Sequence, residues 1–269
     1  MAIIMKAKPV VDKIFENWQK TTDKVTIFTN SEDFASGVYV NNKVKAFNKR
    51  DIKVNVIDTS DKGLVEIHNE QMGCEFWGTP YMFQLPQKKE LNVEVLLDDM
   101  SMRLDMDAMN AVTLGHFYEN PDIYNSPCTP LGIVLLLNYY IPEEKLRNSN
   151  VVVIGRSSIV GRPVARWMEY KYNSTVTVCH SKTKDIKYYT QNADIIIVAV
   201  GKEKFLTADL VKDGAIVVDV GINRNAEGKV CGDADYDNLL DKVYAITPVP
   251  GGVGPMTVAS LVFKNGEVK

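Results

Sequence analysis

The chain is poor in the residues that hold metals or staple small folds. Its four cysteines (Cys74, Cys128, Cys179, Cys231) lie far apart with no C-x-x-C pair, and its three histidines (His68, His116, His180) are equally scattered. That spacing argues against a zinc cage or a disulfide framework, so no metal is expected and a reducing cytoplasm is the expected compartment. Long apolar runs are missing too. The longest, "LGIVLLL", falls far short of a membrane span, and the opening "MAIIMKAKPVVDK" is charged too soon to read as a signal peptide. Positive charge is not in excess: 31 Lys and Arg against 34 Asp and Glu leave a net charge of −3, which gives no electrostatic reason to expect nucleic acid. Neither repeats nor low-complexity segments occur.

What remains is the composition of a globular α/β protein, 45% hydrophobic and 24% charged over 269 residues, enough for one large domain or two ordinary ones. "AKPVVDKIFENWQK" reads as an amphipathic helix and "KVTIFT" as a strand. "SGVYVNNKVKAFNKRD" is helical in period, with Val40, Val44 and Phe47 recurring on one face. A strand "IKVNVID" and a helix over 62–72 follow, then an apolar stretch "CEFWGTPYMFQLP". "TPLGIVLLLNYYI" is apolar nearly all round and reads as a buried helix crossing between two domains.

From residue 150 the pattern changes. "NVVVIG", "STVTVCH", "ADIIIVAVG", "AIVVDVG" and "YAITPV" are short, β-branched and continuous, as strands of a parallel sheet buried on both faces are. The fold class is therefore α/β, with a Rossmann-type doubly wound domain in the second half. The usual middle glycine of the first strand–helix turn is absent: "GRSSIVGRP" has Gly155 and Gly161, with Ser157 between them. Gly155 still allows the tight turn, Gly161 a close approach of the helix, and free N–H groups at the helix start can face a pyrophosphate. Pro163 falls in the first helical turn, where a missing N–H costs little. At the end of the second strand, where a carboxylate would select NAD, "TVTVCHSKT" offers none. Ser181, Lys182 and the nearby Arg156 suit a 2′-phosphate, so the expected cofactor is NADP.

Near the C-terminus "TPVPGGVGPMT" packs three prolines and three glycines into eleven residues and reads as a rigid loop that cannot run on as a helix. Together with "SGVYVNNK", "QLP", "DMDAMN", "PCTPLGI", "GRSSIVGRP", "TVTVCHSKT" and "KDGAIVVDVGIN", it makes the chain resemble the methylenetetrahydrofolate dehydrogenase/methenyltetrahydrofolate cyclohydrolase family from end to end. The resemblance implies a two-domain homodimer of one-carbon metabolism that binds tetrahydrofolate derivatives in a cleft between the domains. It implies NADP-dependent oxidation of 5,10-methylenetetrahydrofolate and hydrolysis of the methenyl product to 10-formyltetrahydrofolate. Residues 1–125 with 249–269 would form the folate-binding catalytic domain and 126–248 the NADP-binding domain, the Pro/Gly stretch carrying the chain back to the first. Val249–Pro250 is a candidate cis peptide there.

Hydride transfer needs placement more than acid–base help, whereas hydrolysis needs a base for water and a proton for nitrogen. Tyr39 and Lys43, spaced i, i+4, share a helix face beside the apolar stripe, which puts Lys43 at a rim where partial desolvation can lower its pKa. On the residues alone, a lysine stem along apolar surface with its head in water is the commoner outcome. The resemblance makes Lys43 the principal cyclohydrolase residue, with Tyr39 positioning folate, Gln84 beside Lys43, and Asp107 holding the pterin; Leu85, Pro86, Pro250, Gly251 and Gly252 complete the implied substrate contacts. It places NADP on Gly155, Arg156, Ser157, Ile159, Val160 and Gly161, on His180 and Ser181, and on Gly221, Ile222 and Thr257.

Several positions depart from the family pattern. Leu104 stands for a lysine, Ala108 and Val112 for glycines, "TNSEDFAS" lacks the usual glycine and proline, and "QLPQ" lacks the usual second leucine. Two other readings stay open at this point. A monofunctional dehydrogenase would need a disabled lysine site, which intact Lys43 and Gln84 oppose. A folate- or nucleotide-binding protein without catalysis has only the altered pterin-side loop in its favour.

Overall fold

The chain divides into two units: Ile14–Cys128 with Val258–Lys269, and Met1–Lys13 with Thr129–Thr257. The computed structural model describes residues 2–269, without the side chains at positions 34 and 35.

The first unit is built on a parallel three-stranded sheet in the order Lys53–Asp58, Lys24–Thr29, Tyr81–Phe83. The middle strand is buried from Val25 to Thr29, as its continuous apolar and β-branched run requires. The helix Phe34–Asn48 is started by Asp33, whose carboxylate accepts the Ser36 N–H at 2.7 Å. It packs Val40 and Phe47 against Val25, Ile27 and Met82. The helix expected over 62–72 runs Leu64–Trp77 and ends on Gly78, whose φ of +62° suits glycine.

The N-terminal helix is shorter than its sequence suggests. It covers Ala7–Ile14, and Trp18–Lys20 is instead a strand pairing antiparallel with Gly266–Val268. Tertiary contacts override the local period here: Trp18 donates its indole N–H to Phe263 O at 2.9 Å and packs edge-on against Phe15. A side chain at Gly266 would overlap the Trp18 ring. Leu261 and Val262 enter the same core as Val25 and Phe47, so the C-terminal segment does pack on the first unit.

The second unit carries a six-stranded, wholly parallel sheet in the order Ile3–Ile4, Ala245–Ile246, Ile216–Asp219, Ile195–Val198, Asn150–Ile154, Thr175–Cys179. The five strands expected after residue 150 are there. The sixth comes from the N-terminus, where Ile3–Ile4 covers the free edge of Ala245–Ile246 and Ala7 N–H donates to Gly251 O at 2.8 Å. The expected domain bounds differ accordingly: residues 1–13 and 249–257 group with the nucleotide-type sheet. The helix Cys128–Tyr140 starts at the division between the units.

The Pro/Gly stretch also differs from expectation. Only 247–252 is loop, with Val249–Pro250 cis; the helix Val253–Phe263 begins inside the stretch. Pro255 is its third residue, where the absent N–H would have had no intrahelical partner. No helix among the described residues is long and apolar enough to cross a membrane.

Candidate active site

Lys43 is not at a rim. It is 6% exposed, with its amine donating to Gln84 Oε1 at 2.8 Å and lying 3.5 Å from Met82 Sδ. The middle of the Phe34–Asn48 helix places it, and Gln84 follows directly on the strand Tyr81–Phe83. Burial pushes the Lys43 amine below the ordinary lysine range, and nearby Asp107 and Cys128 pull it partly back. Tyr39, one helical turn away, is half-buried, and burial raises its phenol, so it remains a neutral hydroxyl at neutral pH. Gln84 is held by its own N–H to Phe28 O at 2.7 Å and by its side-chain amide to Leu85 O at 2.9 Å. Leu85–Pro86 is a second cis peptide, one that sequence reasoning did not mark; Leu85 is half-buried and Pro86 exposed.

Asp107 lies in a tight turn that follows a bridge between Tyr81 and Asp105. Its carboxylate accepts the Cys128 N–H at 2.8 Å. The turn is organised by buried Asp105, which accepts N–H groups from Asp107, Met109 and Asn110 at 2.9–3.2 Å. Burial and the Asp107 carboxylate push the Cys128 thiol well above its usual range, so it is no nucleophile. Ala108 stands at φ +52° and is buried, which explains why the pattern has glycine there. Leu104 packs in an apolar cluster with Phe28, Tyr81 and Phe83, where a lysine head would have had to be desolvated. Val112 is 59% exposed in the first turn of a helix and costs nothing there.

Gly155, Arg156, Ser157, Ile159, Val160 and Gly161, with His180, Ser181, Gly221 and Ile222, follow the carboxyl ends of three strands of the six-stranded sheet. A side chain at Gly155, φ +124°, would overlap Ala199 O, and one at Gly161 would overlap Gly155 O. The strand and helix therefore meet backbone to backbone. Ser157 Oγ accepts from Val160 and Gly161 N–H at 3.2 and 3.4 Å, in the turn that leads into the Gly161–Tyr172 helix. Arg156, Ser157, Ile159, Ser181 and Lys182 are exposed, Val160 half-exposed. His180 Nδ1 accepts the Lys182 N–H at 3.1 Å. With no carboxylate between Cys179 and Asp185, which caps the next helix, and a cradle that a Cβ would fill, these residues fit a dinucleotide carrying a 2′-phosphate.

Gly221 is buried and Ile222 exposed after the strand Ile216–Asp219. Thr257 shares a 3.0 Å hydroxyl contact with Thr129. Pro250, Gly251 and Gly252, read as substrate contacts, belong to the second unit, where a Cβ on Gly252 would stand 2.7 Å from Pro248 O.

Two carboxylates beside this edge were missed. Asp233 is fully buried and accepts N–H groups from Val200, Gly201 and Lys202 and the Asn223 amide, at 2.6–3.0 Å. Asp219 accepts from Gly221, Asp233 and Ala234 N–H at 2.8–2.9 Å, while burial, with Asp233 adding, pushes it up to about 6. Together they tie the loops after two strands. The signal was present: a carboxylate ending a buried strand, "IVVD", needs dedicated donors.

Residues 127–267 match the family model described as "Tetrahydrofolate dehydrogenase/cyclohydrolase, NAD(P)-binding domain". The Bifunctional protein FolD of Campylobacter hominis is 44% identical over 236 residues, covering 86% of this chain and 81% of that protein. Among solved structures, the bifunctional FolD methylenetetrahydrofolate dehydrogenase/cyclohydrolase of Campylobacter jejuni superimposes with a TM-score of 0.90 at 33% identity, over 98% of this chain and 97% of that one. The Trypanosoma brucei methylenetetrahydrofolate dehydrogenase-cyclohydrolase, complexed with NADP cofactor and inhibitor, gives 0.88 at 25% identity, over 98% and 96%.

Proposed function

The chain belongs to the tetrahydrofolate dehydrogenase/cyclohydrolase family, and from that premise we propose a division of its two reactions among its residues. It oxidises 5,10-methylenetetrahydrofolate with NADP and hydrolyses the methenyl product to 10-formyltetrahydrofolate. For the oxidation, bound NADP supplies the hydride acceptor. Gly155 and Gly161 let the backbone approach its pyrophosphate, and Arg156, Ser181 and Lys182 take the 2′-phosphate. Asp107, fixed by the Cys128 N–H, accepts N–H bonds from the pterin, and Tyr39 lies against it. The unit Ile14–Cys128 with Val258–Lys269 is thus the folate-binding half.

The observation that carries the hydrolytic assignment is the buried Lys43–Gln84 pair. A lysine whose amine is desolvated holds its proton less tightly, so a neutral amine is available to accept one from the attacking water. Gln84 Oε1 orients that amine without adding charge. The protonated amine can then return the proton to nitrogen as the ring opens.

Lys43→Met keeps the stem and removes the amine. Hydrolysis should fall by roughly 10²–10⁴-fold while dehydrogenase activity persists in part, so methenyltetrahydrofolate accumulates and is read by its absorbance. Equal loss of both activities would make Lys43 a substrate-positioning residue and overturn the assignment. We also assign a cytoplasmic homodimer. The four cysteines are free, which suits a reducing compartment, and the dimer rests on the family resemblance. Sedimentation as a monomer at assay concentration would remove it.

A further inference from the structure

Gln87 occupies the position where the family pattern has a second leucine, yet it is 9% exposed and fully engaged. Its side-chain NH₂ donates to Gln84 O at 2.8 Å and to Phe28 O at 3.3 Å, and its Oε1 accepts from the Thr59 hydroxyl at 2.6 Å. The two carbonyls and the hydroxyl fix which end of the amide is which. Phe28 O is the same oxygen that accepts the Gln84 N–H. Thr59, 2% exposed, also lies 3.1 Å from Thr29 O. One side chain therefore joins the end of the central strand, the loop after Lys53–Asp58, and the main chain of Gln84. A leucine could make none of these bonds.

The connection continues to the amine. Gln84 has its main chain clamped by Gln87 and Phe28 and its side-chain NH₂ turned to Leu85 O, which leaves Oε1 facing Lys43 Nζ. We propose that Gln87, seated on Thr59, is a positioning residue for hydrolysis: it holds Gln84 so that its oxygen fixes the direction and protonation of the Lys43 amine. The inference rests on Lys43 acting in hydrolysis. It assigns Gln87 no contact with substrate, and hydride transfer does not depend on it.

The test uses the full-length enzyme with methenyltetrahydrofolate for hydrolysis and methylenetetrahydrofolate plus NADP for oxidation. Gln87→Met removes all three bonds at similar length. The expected result is a kcat for hydrolysis lower by roughly 10- to 100-fold, as for an ångström-scale misplacement, with KM little changed. Dehydrogenase kcat should stay within about twofold of wild type, since placement for hydride transfer is untouched. The ascending limb of the hydrolysis pH profile should move toward acid, because a loosened Gln84 oxygen stabilises the ammonium less. Thr59→Val removes the bond to Oε1 and the contact with Thr29 O, keeps both bonds donated by the Gln87 amide, and should move the same limb less. Parallel loss of both activities with an unmoved limb, or no loss at all, overturns the proposal. If Gln87→Met does not fold, Thr59→Val decides alone, and an unmoved limb there is fatal. Undiminished hydrolysis in Lys43→Met would instead remove the Lys43 reading itself.

Discussion

Both units of this molecule bury ionisable groups, and Lys43 in one is given far fewer partners than Asp219 and Asp233 in the other. In the unit we assign to folate, Lys43 is taken out of water with one strong acceptor, the Gln84 amide, and a sulfur. An ammonium has three donors, so this head is under-satisfied and loses its proton more readily. In the nucleotide half, Asp233 receives four donors and Asp219 three. Those carboxylates are held by backbone N–H groups and, at Asp233, by the Asn223 amide, and they tie loops together. Burial alone does not mark a reactive group, but burial with too few partners does.

The contrast extends to shape. The nucleotide edge is made by side chains that are missing: Cβ atoms at Gly155, Gly161, Gly221 and Gly232 would overlap backbone or carboxylate. The largest effect that can break the comparison is Gly232→Ala. The added methyl would occupy the place of Asp219 Oδ2, and Asp219 cannot swing away without abandoning three N–H groups. Overpacking of this kind costs about 1–3 kcal/mol, with the cost of stranded donors added. The variant should unfold several degrees earlier and bind NADP poorly, read by calorimetry and by fluorescence titration. Wild-type melting and affinity would show that the carboxylate pair is not rigid.

These two regions also differed in how far the sequence revealed them. The parallel strands after residue 150 were visible because a sheet covered on both faces demands uninterrupted Val and Ile. Lys43, Gln84 and Asp107 were visible as residue types and as a resemblance, but the residues alone suggested a solvated lysine. Its burial comes from Met82 and Gln84, which are some forty residues away along the chain. The Asp219–Asp233 pair, the Gln87 bridge and the strand Ile3–Ile4 are likewise made by long-range partners. Trp18–Lys20 was misread because an apolar helical period cannot report that a C-terminal strand waits beside it.

A middle-sized effect sharpens the comparison on the nucleotide side, where selectivity should rest on exposed cations with no carboxylate opposing them. Arg156→Ala should weaken NADP by roughly the 1.5–3 kcal/mol of a hydrogen bond to a charged group and leave NAD nearly unchanged. The loss for NADP should shrink with added salt, since Arg156 is exposed. Isothermal titration with both cofactors separates the outcomes. Equal losses for the two would mean Arg156 touches the shared part of the dinucleotide.

The smallest effect concerns Ala108, a left-handed position beside Asp107 that does not use glycine. Gly155 at φ +124° has no alternative, because any side chain meets Ala199 O. Ala108 at φ +52° is only in the unfavourable region, which costs an L-residue about 1–2 kcal/mol. Ala108→Gly would recover that strain. It would also loosen the unfolded chain, losing about 0.4–1 kcal/mol, and remove a buried methyl worth about 0.8 kcal/mol. The terms nearly cancel, so the unfolding free energy read from denaturant titration should change by less than about 1 kcal/mol in either direction. Asp107 keeps its geometry in this account, because Asp105 already collects the N–H groups of the turn. Folate affinity should therefore change little. A gain of more than about 2 kcal/mol, beyond the strain that Ala108 can carry, would show that the departure from glycine is a true defect in this half. A loss of similar size would show that the methyl packs a core the turn cannot spare.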